Sequence, residues 1–356
     1  MIVGDLRKRF RPWERQAVTD DWAGHPPLGW IPVDISAWNH VIRWVKVGDT
    51  PLALPFFIDT ILDLRRGRNP VLEHESLLSQ NRAEQTWGSA LPAGIIFHVS
   101  RCGSTLIANA LREISDVVVL SEAPAMDSVM QWFASAAGYW SALGATMLPA
   151  MTAVFANYRG HGSRPVVLKC APEGIVALGA VRARFPSVPC VVIIRNPIEV
   201  LVSNVMMPPQ WMVEWYELPL SRRFGIPPAA AYEDGFTGFC AWIIGRWCST
   251  ALAALDESCW VLDYEDVGPD AAVGIAETFG LRPAPQLREE LVAVFRRDVK
   301  RPGSAFERDA ERKRLAADAV MTRSVAKWTY EPYCALRSRA QGLRRASGGG
   351  GPAPEV

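Results

Sequence analysis

The chain has 356 residues and a formal net charge of +1, from 38 Lys and Arg against 37 Asp and Glu, with 49% hydrophobic and 21% charged residues. A chain of this size buries roughly 75% of its extended surface on folding and needs neither disulfide nor metal staples. Its near-neutral charge lacks the basic excess of a bulk nucleic-acid or anionic-membrane binder, and its composition is neither disordered nor collagen-like.

Residues 1–90 are rich in Trp, Arg and Pro, have mixed periodicity and read as an N-terminal extension or subdomain. Within them FFIDTILDLRR (56–66) has apolar residues at helical spacing. The opening MIVGDLRKRFRPWER has no apolar run, so no secretory signal peptide is expected. From residue 91 the pattern changes. AGIIFHVS (93–100) reads as a strand and RCGSTLIANALREI after it as a helix. VVVL (117–120), PVVLK (165–169), CVVIIR (190–195) and CWVLDY (259–264) read as further strands. Helical stretches separate them, one beginning near Pro197, a residue suited to a first helical turn, and one running from Phe236 to Leu255. Strands alternating with helices predict an α/β domain over 91–345, a parallel β-sheet flanked by helices on both faces. Ligands of such sheets bind beyond the carboxyl ends of the strands. The low-complexity end (346–356) predicts a disordered tail.

No residue between Asp127 and Arg159 is charged, a length that could span a bilayer. The segment contains Gly138, Gly144, Pro149 and Asn157 and is largely alanine, so two packed helices broken near Pro149 are expected, with no membrane span. The seven cysteines, odd in number and never spaced C-x-x-C, read as reduced thiols of a cytoplasmic protein rather than a disulfide or zinc framework. Residues 206–228, proline-broken and aromatic, read as a long loop. Trp211, Trp215 and Tyr216 in it would form either an acceptor pocket or a contact with the N-terminal subdomain.

HVSRCGSTL (98–106) joins the first strand to the first helix of the α/β domain. A glycine there permits a tight turn whose backbone N–H groups converge, the helix N-terminus adds positive potential, and Ser104 and Thr105 add hydroxyl donors. Such a loop binds phosphate or sulfate; its other reading is an ordinary strand–helix connection with a Ser/Thr cap. Laid on G-x-x-x-x-G-K-[ST], it has His98 for the first glycine and Ser104 for the lysine, so it is not a nucleotide-triphosphate loop of that type.

Ser100-Arg101-Cys102-Gly103-Ser104-Thr105 resembles the P-[KR]-S-G-[ST]-T loop of sulfotransferases that use 3′-phosphoadenosine 5′-phosphosulfate (PAPS), departing from it at Ser100 and Cys102. IIRNPIEVLVS (193–203) is similar to the family's R-[DN]-P element with a later serine, and VLDYEDV (261–267) to its strand running into Y-E-D. The three stand in the family's order over roughly 93–267, and FHVSRCGSTL with VVVLSEAP looks like a group of bacterial members. The resemblance implies a P-loop NTPase-like sulfotransferase fold and PAPS as co-substrate, with no metal. It implies that Arg101, Cys102, Gly103, Ser104 and Thr105 form the 5′-phosphosulfate loop and that Arg195 and Ser203 bind the 3′-phosphate. Tyr264 would contact adenine or simply pack. KRPGS (300–304) stands approximately where the family has an Arg-Lys-Gly loop, with Arg301 as its phosphate contact and proline in place of the central lysine.

Residue by residue, other roles stay open. Arg195 ends a strand, where a guanidinium reaches the ligand crevice, or it pairs with Glu199 four residues on. Glu122 follows the second strand, as general base or as helix N-terminal charge ahead of Pro124. Lys169 ends the third strand, as a contact to the sulfuryl group or as a structural ion pair. His98 is a rival base, but as a lone histidine in an apolar strand it reads as a core residue. The expected reaction moves a sulfuryl group to a hydroxyl of a small molecule or peptide. The alternatives are a kinase using ATP and magnesium and a non-catalytic nucleotide- or partner-binding member of the fold. No nucleic-acid partner is expected.

Overall fold

A computed structural model describes residues 25–36, 41–67, 71–78, 83, 86–113, 116–160, 162–217, 225–282, 287–296 and 309–347. Five short strands build the main sheet: β4 (Gly94–His98), β5 (Val118–Ser121), β6 (Val166–Lys169), β7 (Cys190–Ile194) and β8 (Cys259–Asp263). They are all parallel and lie in the order β5-β6-β4-β7-β8. Every residue of β4–β7 is buried, which is why these segments read as unbroken apolar runs: a parallel sheet covered on both faces has no polar side. After β4 the chain first fills one side of that strand with β5 and β6, then crosses to the other with β7 and β8. The carboxyl end of β4 is therefore the switch point, where the helices on either side diverge and leave a crevice.

The flanking helices follow the strands in turn. Ser104–Arg112 (α2) follows β4, Pro124–Phe133 (α3) and Gly138–Asn157 (α4) follow β5, and Leu178–Arg184 (α5) follows β6. Pro197–Met206 (α6), Gln210–Glu217 (α7) and the twenty-residue Gly235–Ala254 (α8) lie between β7 and β8. Pro197 occupies the first turn of α6, as expected, behind an Asn196 cap whose side chain accepts the Ile198 N–H. Beyond β8 come Pro269–Thr278 (α9), Leu287–Arg296 (α10), Ala310–Leu315 (α11), Ala319–Trp328 (α12) and Tyr330–Ser347 (α13). The last enters the expected tail by two residues, and 348–356 lie outside the described residues.

The N-terminal part holds structure that its mixed periodicity hid. Trp30–Ser36 (β1), Val41–Lys46 (β2) and Glu73–Leu77 (β3) form an antiparallel sheet in that order, with helix α1 (Phe57–Arg66) between the last two. The alternation expected of such a sheet is lost in β1, where a register shift falls between Pro32 and Asp34 and residues 30–33 are buried in succession. The sheet packs on α3, and the Gly29 N–H donates to the Tyr158 carbonyl (2.7 Å). Trp44 meets Trp87 edge-on, inside a core continuous with that of the main sheet.

Two expectations need correction. The uncharged segment does form two helices, but they part at residues 134–137, not at Pro149, which lies inside α4. A proline costs its helix one amide donor and a local clash. Here close packing keeps the helix whole: Gly144 approaches α3 so nearly that a Cβ on it would lie 2.7 Å from the Phe133 nitrogen. The turn instead falls where Ser135 Oγ accepts the Ala137 N–H (3.2 Å). The second correction concerns 206–228, which contains α7 where a long loop was expected. Trp215 is buried, and Tyr216 packs on Tyr232, Phe236 and Phe239 around α8. The Trp211 side chain and residues 218–224 lie outside the described residues. All seven cysteines are free thiols, six of them buried. Among the described residues no helix is long and apolar enough to cross a membrane.

Candidate active site

The site is built on the carboxyl edge of the main sheet. The turn leaving β4 bends through left-handed conformations at Ser100 (φ 66°), Arg101 (φ 50°) and Gly103 (φ 81°). Only glycine adopts such angles without steric cost, so the two non-glycine residues mark a turn held by its surroundings. The Ser100 N–H is tied to His98 Nδ1 (3.1 Å), and the Ser100 hydroxyl reaches Asn204 Oδ1 on α6 (3.4 Å). Gly103 stands at the N-cap of α2 with no side chain to cap it, and the Leu106 N–H donates to its carbonyl (3.0 Å), so no side-chain acceptor occupies the start of the helix. Ser104 is buried and Thr105 half-buried. The Cys102 thiol is fully buried, and burial pushes it up to about 11, opposed by hydrogen bonds with the Ser104 and Val99 main chain. The Arg101 guanidinium donates to the Met207 carbonyl at the end of α6 (2.8 Å). Burial lowers its pKa, opposed by the Glu122 carboxylate.

Three adjacent strands, β5, β6 and β4, bring Glu122, Lys169 and His98 together. Glu122 leaves β5 in a left-handed conformation (φ 53°), its N–H donating to the Lys169 carbonyl (2.7 Å). Its carboxylate pairs with the Lys169 ammonium, and His98 Nε2 lies 3.6 Å from the same oxygen. Because His98 Nδ1 accepts the Ser100 N–H, a neutral ring carries its proton on Nε2, facing Glu122. At 3.6 Å that is an electrostatic contact rather than a hydrogen bond. The Lys169 side chain is 0% exposed and sits beside the Phe56 ring, whereas that of Glu122 is 27% exposed. Of the three, Glu122 is thus the group that opens on solvent. Burial pushes its carboxyl up, but Lys169 and His98 outweigh this and hold it at about 2. Burial and the Lys169 charge lower the His98 pKa, against the Glu122 carboxylate, which raises it.

The second element expected to bind an anion meets the turn. Arg195, just past the end of β7, donates from one terminal nitrogen to the Arg101 carbonyl (3.1 Å), and its guanidinium lies 3.9 Å from the centre of the Tyr264 ring. Tyr264 is itself packed under the loop: a Cβ on Gly103 would lie 3.0 Å from its ring. The pairing of Arg195 with Glu199 is present, as a buried contact (2.7 Å) rather than a surface one. Ser203 follows Glu199 by one further turn and is also buried. A small pocket beside Arg195 is lined by Asn196, Glu199, Tyr264, Glu265 and Arg314 among others. Sequence reasoning missed Asp309 and Lys313 here. Asp309 bridges Arg195 (2.8 Å) and Lys313 (2.8 Å), over a separation of 114 residues from Arg195 that no local pattern could signal. Arg301 lies outside the described residues. Among the described residues no group of three or more His, Cys, Asp or Glu is arranged to hold a metal ion.

No protein-family model matches the chain, and no curated protein matches it. It is similar to solved structures. One is a sulfotransferase domain from the curacin biosynthetic pathway, with 15% identity and a TM-score of 0.40, covering 72% of this chain and 98% of that one. Another is a sulfotransferase from Alicyclobacillus acidocaldarius, with 16% identity and a TM-score of 0.34, covering 58% and 92%. A third is a mouse sulfotransferase complexed with PAP, with 12% identity and a TM-score of 0.37, covering 70% and 89%.

Proposed function

We propose that the chain is a sulfotransferase that moves a sulfuryl group from PAPS to a hydroxyl of a small molecule or peptide. The observation that carries this reading is the juxtaposition at one sheet edge of an anion-binding turn, an arginine hydrogen-bonded to that turn, and an ionised carboxylate paired with a buried lysine. The residues fit such a co-substrate. The uncapped start of α2, the left-handed turn and Arg101 would take the 5′-phosphosulfate. Arg195 and Ser203, on a neighbouring strand end and helix, would take the 3′-phosphate. Tyr264, under both, would support the nucleotide side of the site.

In the reaction a lone pair of the acceptor oxygen forms the new O–S bond. The bond from sulfur to the bridging phosphate oxygen breaks, and its electron pair leaves with PAP. The acceptor proton goes to a Glu122 carboxylate oxygen. Arg101 would neutralise charge building on the leaving oxygen. Glu122 is ionised, as a base must be, though its pairing with Lys169 makes it a weak one. Movement of the Lys169 ammonium onto a sulfuryl oxygen would remove that hold, and burial would then raise the basicity of Glu122 as the proton arrives. His98 would keep its proton directed at Glu122 and orient the carboxylate. Most of the rate would come from positioning and charge neutralisation.

Calorimetric titration with PAP, beside ADP and ATP with and without magnesium, tests the reading. Micromolar, metal-independent binding of PAP that is clearly tighter than that of ADP is expected. Absence of PAP binding, or a magnesium-dependent preference for ATP, refutes it.

A further inference from the structure

Each of the three side-chain nitrogens of Arg195 donates a hydrogen bond. Nε donates to Glu199 Oε2 (2.7 Å), one terminal nitrogen to the Arg101 carbonyl (3.1 Å) and the other to Asp309 Oδ1 (2.8 Å). The two carboxylates differ in how firmly they are held. Glu199 is 1% exposed, lies one helical turn from Arg195 and receives a second hydrogen bond from Arg314 Nε (2.7 Å). Asp309 is 26% exposed and stands at the head of α11, a six-residue helix with no buried residue. Its other oxygen binds Lys313 Nζ (2.8 Å), and Lys313 in turn feels the charges of Arg195 and Arg101. Asp309 is thus a tethered, half-buried carboxylate whose two oxygens bridge two cations beside the anion-binding turn.

We infer that Asp309 is a built-in competitor for the anion site of Arg195, and that Lys313 is a second cation of that site which Asp309 masks. The inference rests on the nucleotide reading above for its natural ligand, a phosphate monoester dianion. A dianion neutralises Arg195 and Lys313 together, which the single charge of Asp309 cannot, so it displaces the carboxylate and inherits both cations. Glu199 stays in place as the support that aims Arg195. Because Asp309 is attached to the chain, it competes at high effective concentration and lowers apparent affinity by the fraction of time it is docked. Lys313 and Arg314 lie on α11 itself, so the exchange is a rotation of the Asp309 side chain at the head of that helix while α11 keeps its place.

The experiment is calorimetric titration of the full chain with PAP and, separately, with inorganic pyrophosphate, at low ionic strength. The proteins are wild type, Asp309→Asn, Asp309→Ala and Glu265→Gln. Glu265→Gln removes one negative charge from the pocket beside Arg195, where Glu265 pairs with Arg314 and Arg337, and so measures the effect of a nearby charge other than the Asp309 bridge. The Asp309 variants are expected to bind both probes about three- to tenfold more tightly than wild type. Glu265→Gln should gain less than twofold, and adding Arg195→Ala to Asp309→Asn should abolish the gain. Equal PAP affinity in wild type and both Asp309 variants, or an equal gain in Glu265→Gln, overturns the competitor while leaving the nucleotide reading intact. Tightened pyrophosphate binding with no PAP binding in any variant upholds the competitor and removes the nucleotide reading. If no variant binds either probe, both fall.

Discussion

Replacing Glu122 with glutamine removes the charge but keeps the shape, and the structure sets the size of the effect. In the folded chain the carboxyl is held at about 2, against an ordinary value of 4.5. That difference is worth about 3 kcal/mol of stability, at ~1.4 kcal/mol for each factor of ten. Since the folded value is depressed, this stability is complete above about pH 4.5 and is lost as pH falls toward 2. About 1 kcal/mol should disappear between pH 7 and pH 4, and roughly 2 kcal/mol by pH 3. Glu122→Gln leaves the Lys169 ammonium, 0% exposed, facing an amide oxygen in place of a carboxylate. A loss of about 1–3 kcal/mol at pH 7 is expected, because the amide still accepts a hydrogen bond. Urea unfolding followed by tryptophan fluorescence at pH 7 and pH 4 measures both quantities. Glu122→Gln should be less stable at pH 7 and should lose less stability than wild type on going to pH 4. Adding Lys169→Met removes the stranded charge, so the double variant should be more stable than Glu122→Gln alone. A single variant within 0.5 kcal/mol of wild type, with an unchanged pH dependence, would refute the buried-pair reasoning.

Arg101→Ala and Arg195→Ala should each weaken PAP binding about tenfold or more by calorimetry, since each removes charge-assisted hydrogen bonds; unchanged affinity in both removes the site assignment. Gly103→Ala forces a side chain into a left-handed turn (φ 81°) with its Cβ 3.0 Å from the Tyr264 ring. It should cost about 1–3 kcal/mol in thermal unfolding and weaken PAP binding in parallel, and a variant that melts with wild type and binds normally would contradict that geometry. Gly245→Ala, remote from the site, drives a Cβ of α8 into the Trp328 carbonyl at the end of α12. The clash is with backbone, which cannot turn aside, so a loss of about 2–4 kcal/mol is expected, and a melting temperature within a degree of wild type would refute it.

The sequence carried the main sheet because parallel strands buried on both faces are written as continuous apolar runs, and all five stand within a residue or two of where those runs fall. It carried the turn between β4 and α2 because glycine and hydroxyl residues between a strand and a helix are a local pattern. Glu122, Lys169 and Arg195 were legible for the related reason that each ends or follows a strand whose carboxyl edge faces the crevice. The N-terminal sheet was not legible, since β1 loses its alternation where both its faces are covered. The break at residues 134–137 was missed because Pro149 is the stronger local signal, and only the close packing of α3 on α4 overrides it. His98 read as an ordinary core histidine, and it is buried. Only strand order decides that its Nε2 faces Glu122, because β4 and β5 are separated by β6, a strand that comes later in the chain. Asp309 and Lys313 are the clearest case of what tertiary structure alone decides. Nothing near them in sequence marks an anion site, and they reach Arg195 because α11 packs on α6. Local chemistry is written in neighbouring residues, but the partners that set a group's charge and access come from segments a hundred residues away.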